Sequence, residues 1–318
     1  HFPVSLFPMD SYETPRFKAS KIKDVPSDKK EIQSSHYNLG ELKILKKICR
    51  SRFPIYLAWS AANKCCVWVK CYPYESGKTN KSYRRESRFI SLSHPYLLEI
   101  HSIEPSSPDM YGKGWSFIVM EQASYGNLYS LIVNGKFPAD EILVRTYFQQ
   151  LVQGVEFLHS HRIAHMDLRL ENLFIGKDRN LRIFNFAYSQ VQDEEPIKQR
   201  EMDGYKAPEI RRGDFKDPFA ADIYAMGVLL FIMKFQHFPY LGGASDQPYQ
   251  EENWEVLYKI HSGGASDEKD PFRTLFLSMV ETDPMKRASL RKVKESSWYR
   301  KEVYGNQHLV KIAEHWKE

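Results

Sequence analysis

The sequence is poor in cysteine and has no long apolar run, and each scarcity excludes a class of protein. Cys49, Cys65, Cys66 and Cys71 have neither the CxxC pairs nor the nearby histidines of a zinc site, which indicates free thiols in a reducing compartment. The longest apolar run, residues 225–233, is much shorter than the roughly 20 residues of a membrane-spanning helix. We therefore expect a protein without a membrane span, located in the cytoplasm or, as the alternative, in the nucleus.

A strong charge of one sign is also missing. The chain has 45 lysines and arginines against 40 aspartates and glutamates, which gives a net charge of +5 for 318 residues. Its basic runs at 21–30 and 81–85 carry no zinc-finger or RNA-binding pattern and are typical of solvated surfaces. We therefore expect no nucleic-acid partner.

The hydrophobic residues, 42% of the chain, can bury a substantial core, and their spacing differs between two regions. Residues 41–121 alternate short β-rich runs with one polar helical stretch near 82–92, which predicts a small twisted sheet with one helix.

Beyond about residue 125 the apolar positions follow a helical period. Residues 221–236 are apolar nearly all round and predict a helix at the centre of this region. A second helix is predicted by a stripe with spacings of four, three, four and three residues, formed by Val144, Phe148, Leu151, Val155 and Leu158.

Six short motifs follow one another in a fixed order. They are VWVK (67–70), HMDLRLENLF (165–174), NFA (185–187), KAPE (206–209), DIYAMG (222–227) and DPMKR (283–287). Their order and spacing resemble the protein-kinase family across about residues 41–300, and most closely its calcium/calmodulin-dependent Ser/Thr group.

The resemblance implies an α+β fold with two lobes. It divides the chain into an N-terminal extension (1–40), a small β-rich N-lobe (41–121), a larger helical C-lobe (122–300) and a C-terminal tail (301–318).

Phosphoryl transfer in this family needs a bound metal, held phosphates and an aspartate that orients the substrate hydroxyl. By resemblance, Lys70 is the strand lysine, Asp167 is that aspartate, and Asn172 is one metal ligand. Arg169 replaces the lysine that the family usually has in this loop. Asn185 stands where the family has a metal-binding aspartate, and an amide oxygen is a weaker ligand for Mg²⁺ than a carboxylate. We therefore expect no metal site.

The helix glutamate that should pair with Lys70 is out of register. Counting along the chain places Arg85 at its position, with Glu86 about 100° further round a helix. A slip of one residue would restore the pair, so both arrangements stay open.

The nucleotide pocket also departs from the family. Ile48, Arg50 and Phe53 occupy the three glycine positions of the phosphate-binding loop, where only a residue without Cβ lets backbone N–H groups close over phosphate.

A small alanine beside the adenine is replaced by Trp68, whose indole would fill the slot with Ile55, Met120 and Phe174. We expect an occluded adenine pocket and no cofactor, with binding of ATP or Mg²⁺ not favoured.

Other residues match the family's structural positions. Glu209 and Arg287 correspond to the pair that ties the activation segment to the C-lobe, and Asp222 to the buried aspartate that braces the catalytic loop. His165 and Phe186 are expected to stack with Phe89 or Ile90 and with Ile100, and so to link the two lobes.

Residues for nucleotide and metal binding are replaced while the family's structural residues are kept, which predicts a pseudokinase rather than an enzyme. Such a protein would act as a scaffold or allosteric regulator in signalling, through a protein partner such as an active kinase or its substrate. The alternative is an atypical Ser/Thr protein kinase, or another nucleotide-dependent transferase, that uses Asp167 and Asn172.

Overall fold

The computed structural model describes nine stretches of the chain, and the statements below concern these stretches. They are residues 38–39, 41–49, 53–74, 79–108, 114–194, 204–213, 217–236, 254–262 and 269–316. Almost all of the predicted extension 1–40, and also Arg50, lie outside the described residues.

The N-lobe is an antiparallel sheet of six strands in the order β1-β2-β3-β4-β6-β5. The strands are β1 (Asn38–Leu39), β2 (Leu42–Cys49), β3 (Ile55–Ser60), β4 (Cys65–Pro73), β5 (Ile100–Pro108) and β6 (Gly114–Glu121).

One short helix, α1 (Lys81–Glu86), packs beside the sheet and continues as a 3₁₀ turn to Phe89. Asn80 caps α1 because its side chain accepts a hydrogen bond from the Ser82 N–H at 2.8 Å. The predicted helical stretch near 82–92 is therefore shorter than its sequence pattern indicates.

The side chains of strand β4 divide between the two faces of the sheet, because successive side chains point to opposite faces. Val67, Val69 and Cys71 belong to one apolar cluster of the sheet. Trp68 and Tyr72 belong to a different cluster, which also includes residues of the C-lobe side. Alternation thus places Trp68, Lys70 and Tyr72 together, on the face that meets the C-lobe.

The C-lobe is mainly helical. Its helices are α2 (Leu128–Val133), α3 (Glu141–Ser160), α4 (Pro208–Arg212), α5 (Pro218–Phe235), α6 (Trp254–His261), α7 (Pro271–Met279), α8 (Leu290–Glu295) and α9 (Asn306–Glu314). Four short strands form two ribbons: β7 (Ile163–Ala164) pairs with β10 (Gln190–Val191), and β8 (Leu173–Ile175) pairs with β9 (Leu181–Ile183). The predicted two-lobed α+β fold is confirmed.

Both long helices lie where the apolar spacing predicts them. The five stripe residues of α3 are fully buried, and the side chains from Ala220 to Met233 of α5 are buried as well. Helix α5 is long and apolar enough to cross a membrane by composition alone, but 72% of it is buried inside the protein. It is therefore the core helix of the C-lobe.

A buried ion pair joins α4 to the end of the C-lobe. Arg287 donates to both carboxylate oxygens of Glu209 at 2.7 and 3.0 Å, and also to the carbonyls of Ala220 and Glu281 at 2.8 Å each. Because the guanidinium is fully buried, its hydrogen bonds are what make its burial tolerable.

This pair provides a test of the fold. Replacing Arg287 by Gln leaves the buried Glu209 carboxylate without a charge partner, so we expect a loss of about 3 to 5 kcal/mol in the free energy of unfolding. The control is Arg291→Gln, which breaks an exposed pair with Glu295 and should cost less than about 1 kcal/mol. Denaturant unfolding measures both, and equal losses in the two variants would show that the Glu209 pair does not stabilise the fold.

Candidate functional site

The loop that follows β7 contains the motif HMDLRLEN (165–172), and helix α5 holds it through Asp222. The carboxylate of Asp222, which is 1% exposed, accepts hydrogen bonds from the backbone N–H groups of His165 (2.7 Å) and Met166 (2.8 Å). These bonds hold a sharp bend in which Met166 has φ +66°, a region that residues other than glycine seldom adopt. The bend presents Asp167 toward the lobe interface.

Asp167 uses its two carboxylate oxygens differently. Oδ2 accepts from the amide of Asn172 at 2.8 Å and from the amide of Asn185 at 3.0 Å. Asn172 also donates to the Asp167 backbone carbonyl at 2.7 Å, which fixes the loop between them. Oδ1 faces the ammonium group of Lys206 at 3.5 Å. One oxygen is therefore held by neutral amides, and the other lies beside a cation.

Asn185 lies at the centre of the site. Its φ of 72° is left-handed, a conformation in which asparagine is enriched. Its side-chain oxygen accepts from Lys70 Nζ at 2.9 Å, while its NH₂ group donates to Asp167. An aspartate could make the first bond but not the second, because an ionised carboxylate has no proton to donate. The amide therefore suits both of its charged neighbours.

Lys70 pairs with Glu86, which answers the question of register. The two groups meet at 2.7 Å, with side chains 5% and 2% exposed, and Arg85 does not take this place. The Tyr72 hydroxyl donates to the same Glu86 oxygen. Burial, and then the adjacent Glu86 carboxylate, raise the pKa of Tyr72 well above its ordinary value, so the phenol stays a donor.

The amide oxygens available to a metal ion already face donors. Asn185 Oδ1 is 2.9 Å from the Lys70 ammonium, and Asn172 Oδ1 is 3.3 Å from the NH₂ group of Asn185. In the described part of the chain, no group of three or more His, Cys, Asp or Glu residues could hold a metal ion. Since Mg²⁺ prefers carboxylate and phosphate oxygens, this set of donors does not fit it.

Trp68 lies in the predicted adenine slot. It is 4% exposed, and its ring meets that of Phe174 edge-on, with centroids 4.9 Å apart. Ile55 and Met120 belong to the same apolar cluster. The four residues predicted to line the slot are thus together in the structure.

Two of the three residues at the glycine positions are described. Ile48 is 42% exposed, whereas the ring of Phe53 packs on that of Tyr72 with centroids 4.7 Å apart. Neither residue provides the bare backbone of a glycine loop.

A column of rings links the lobes, as the resemblance implies. Phe186 lies 5.3 Å from the ring of His165 and 5.4 Å from that of Phe89, while Ile90 remains partly exposed. His165 is fully buried; its Nε2 lies 3.0 Å from the Phe184 carbonyl, and its Nδ1 lies 3.2 Å from the backbone N–H of Asp167. These contacts suit a neutral imidazole that donates from Nε2 and accepts at Nδ1.

Several contacts are not predicted by the sequence reasoning. Arg169, at the position of a family lysine, makes two hydrogen bonds to Glu171, at 2.9 and 3.0 Å. Lys206 contacts Asp167, although its motif, KAPE, contributes only to the family resemblance in the sequence. Arg88 forms a two-armed ion pair with Glu194. In the sequence, the one sign of the contact between Lys206 and Asp167 is that a lysine stands directly before Ala-Pro-Glu.

Known proteins resemble this chain over most of its length. The model of the family described as the protein kinase domain matches residues 53–299. CBL-interacting serine/threonine-protein kinase 15 of Arabidopsis thaliana is 31% identical over 241 residues, which cover 71% of this chain and 52% of the relative.

Two rice proteins are similar as well. CBL-interacting protein kinase 26 of Oryza sativa subsp. japonica is 30% identical over 291 residues, 86% of this chain and 54% of the relative. Serine/threonine protein kinase OSK3 of Oryza sativa subsp. indica is 28% identical over 224 residues, 68% of this chain and 41% of the relative. The chain spans about half the length of the curated relatives it matches.

The prediction that the chain is not an enzyme is wrong by this comparison, since these relatives are named protein kinases. The geometry supplies a physical reason. Treating each substitution as a separate defect overlooks that Asn185 contacts both Lys70 and Asp167, and that Glu86 restores the ion pair with Lys70. The resemblance to the calcium/calmodulin-dependent group stays a prediction.

The buried His165 predicts a pH dependence of stability. Burial lowers its pKa below the ordinary 6.5, against the raising effect of Asp222 and Asp167. Because the folded pKa is lower than the unfolded one, its contribution is fully present above about pH 6.5 and is lost as the pH falls from there through the folded pKa. We expect the melting temperature to fall more steeply between pH 7.5 and 5 in the wild type than in His165→Gln. The exposed His308→Gln should keep the wild-type slope, and equal slopes in all three proteins would contradict this prediction.

Proposed function

We propose that this chain, which belongs to the protein kinase family, is an atypical serine/threonine protein kinase domain. The observation that carries the proposal is the Asp167 carboxylate, in which Oδ2 is held by the amides of Asn172 and Asn185 while Oδ1 lies 3.5 Å from the Lys206 ammonium group. The Asp167 side chain is 10% exposed. The names of the relatives support the same class of activity.

The reaction transfers the γ-phosphoryl group of ATP to a serine or threonine hydroxyl. The hydroxyl oxygen forms a bond to the γ-phosphorus, and its proton passes to Asp167 Oδ1. The bond from the γ-phosphorus to the bridging oxygen breaks, and its electron pair leaves with ADP. The two amide donors on Oδ2 keep the carboxylate from rotating, so Oδ1 keeps the orientation that the proton transfer needs.

The positive charge for the phosphates comes from the chain itself. Lys70 is fixed by Glu86 on one side and by Asn185 on the other, so its ammonium group is held at the lobe interface. Because Asn185 offers an amide where the family has a metal-binding carboxylate, the steps above use only the chain's own groups. A low requirement for magnesium is what makes the proposed kinase atypical.

A protein partner follows from this proposal, because the substrate of such an enzyme is a protein. Two relatives are named as CBL-interacting, which is a statement about those proteins.

The catalytic proposal is tested by Asp167→Asn, which keeps the size of the side chain and removes the base. Removal of a general base typically costs about 10²- to 10⁴-fold in rate. We expect such a loss in transfer from radiolabelled ATP to a serine/threonine peptide library, whereas the control Asp178→Asn, in the turn between β8 and β9, keeps the wild-type rate. Equal transfer by wild type and Asp167→Asn, or none by the wild type, would refute the proposed function.

The path of the nucleotide is tested by Trp68→Ala. Removing a buried indole should lower the free energy of unfolding by about 3 to 5 kcal/mol and open an apolar cavity of adenine size. We expect adenosine to raise the melting temperature of this variant more than that of the wild type, since bound ligand stabilises the folded state. Trp59→Ala is the matched control, because Trp59 is 44% exposed and should be replaced at little cost. An unchanged melting temperature in Trp68→Ala, with no response to adenosine, would show that the indole does not fill the slot.

A further inference from the structure

The backbone that carries Lys206 is fixed on both sides. Tyr205 is 3% exposed and Ala207 is fully buried. Ala207 caps helix α4, whose Glu209 is tied to Arg287 at 2.7 Å. A lysine in this place therefore has little freedom to leave the lobe interface.

The ammonium group of Lys206 is directed into the catalytic loop. Nζ lies 3.1 Å from the Met166 carbonyl and 3.5 Å from Asp167 Oδ1, and the residue is only 6% exposed. Burying a lysine costs folding free energy unless its charge is paired and hydrogen-bonded. Among the ion pairs of the described residues, Lys206 supplies the cation that reaches Asp167.

Arg169 does not fill this place, although it stands where the resemblance puts a lysine. Its guanidinium group bonds to both oxygens of Glu171 and lies 5.9 Å from the ring of Tyr205. The positive charge of Arg169, which belongs to the catalytic loop, is thus directed to the Glu171 carboxylate. The activation segment, through Lys206, supplies the cation beside the base.

We propose that Lys206 positions Asp167 and neutralises the transferred phosphoryl group, in place of a metal ion that Asn172 and Asn185 do not favour. The inference rests on the proposed function. A hydroxyl bound to Asp167 Oδ1 lies about 2.7 Å from it, and its oxygen must approach the γ-phosphorus to about 3 to 3.5 Å. Because the Lys206 ammonium group is 3.5 Å from the same oxygen, these distances allow it to contact a γ-phosphate oxygen.

The first test measures binding and does not depend on turnover. Affinities for ATP and ADP are measured in EDTA by competition with a fluorescent nucleotide. Because Lys206 would contact only the γ-phosphate, Lys206→Met should weaken ATP binding by about tenfold or more, the loss typical of a charge-assisted hydrogen bond. ADP binding should stay within about twofold of the wild type, and Lys206→Arg should retain the preference for ATP.

The second test measures transfer. We expect Lys206→Met to lower kcat by about 100-fold, the usual cost of removing one group that stabilises the transition state. The KM for the peptide should not change, and the magnesium concentration for half-maximal transfer should rise. Lys234→Met removes a cation from an ion pair with Glu141, away from the site, and should leave kcat unchanged.

The outcomes separate this inference from the proposed function. Normal transfer with an unchanged ATP preference in Lys206→Met would overturn the inference and leave the proposed function standing. A wild type that prefers ATP through Lys206 but transfers nothing would overturn the proposed function and keep the phosphate contact. A larger loss of kcat in Arg169→Met than in Lys206→Met would assign the cation to the catalytic loop, and a wild type that binds neither nucleotide would overturn both proposals.

Discussion

The side-chain amide of Asn185 connects the two lobes, and the arrangement of the site depends on it. It accepts a hydrogen bond from Lys70 of the sheet and donates one to Asp167 of the helical lobe. A group that does both must have an oxygen and an N–H proton on one rigid plane, which the amide of asparagine provides. The Asn185 amide therefore contacts both a cation of the N-lobe and a carboxylate of the C-lobe.

The network around Asn185 is continuous and almost entirely buried. It runs from Tyr72 through Glu86 and Lys70 to Asn185, and from there to Asp167. Buried charges are tolerated when each has a partner, and an unpaired one is costly. The lobes are accordingly joined by two parallel sets of contacts, this polar chain and the column of rings through Phe186.

The fold could be predicted from the sequence because its patterns are local. The all-round apolar run of α5 and the four-three spacing of α3 need no knowledge of distant residues, and alternation along β4 places Trp68 and Lys70 on one face. Parts of the site could not be predicted in this way. The pairing of Lys70 with Glu86 joins residues 16 positions apart, and the contact of Lys206 with Asp167 joins residues 39 positions apart.

The ion pair between Arg88 and Glu194 joins the 3₁₀ turn after α1 to the segment that follows Asn185. In regulated enzymes such a negative charge is often a phosphate, which one enzyme adds and another removes. The carboxylate of Glu194 is part of the polypeptide as synthesised, and a phosphatase cannot remove it. The pair lies at the protein surface, with side chains 39% and 41% exposed, so dissolved salt screens it.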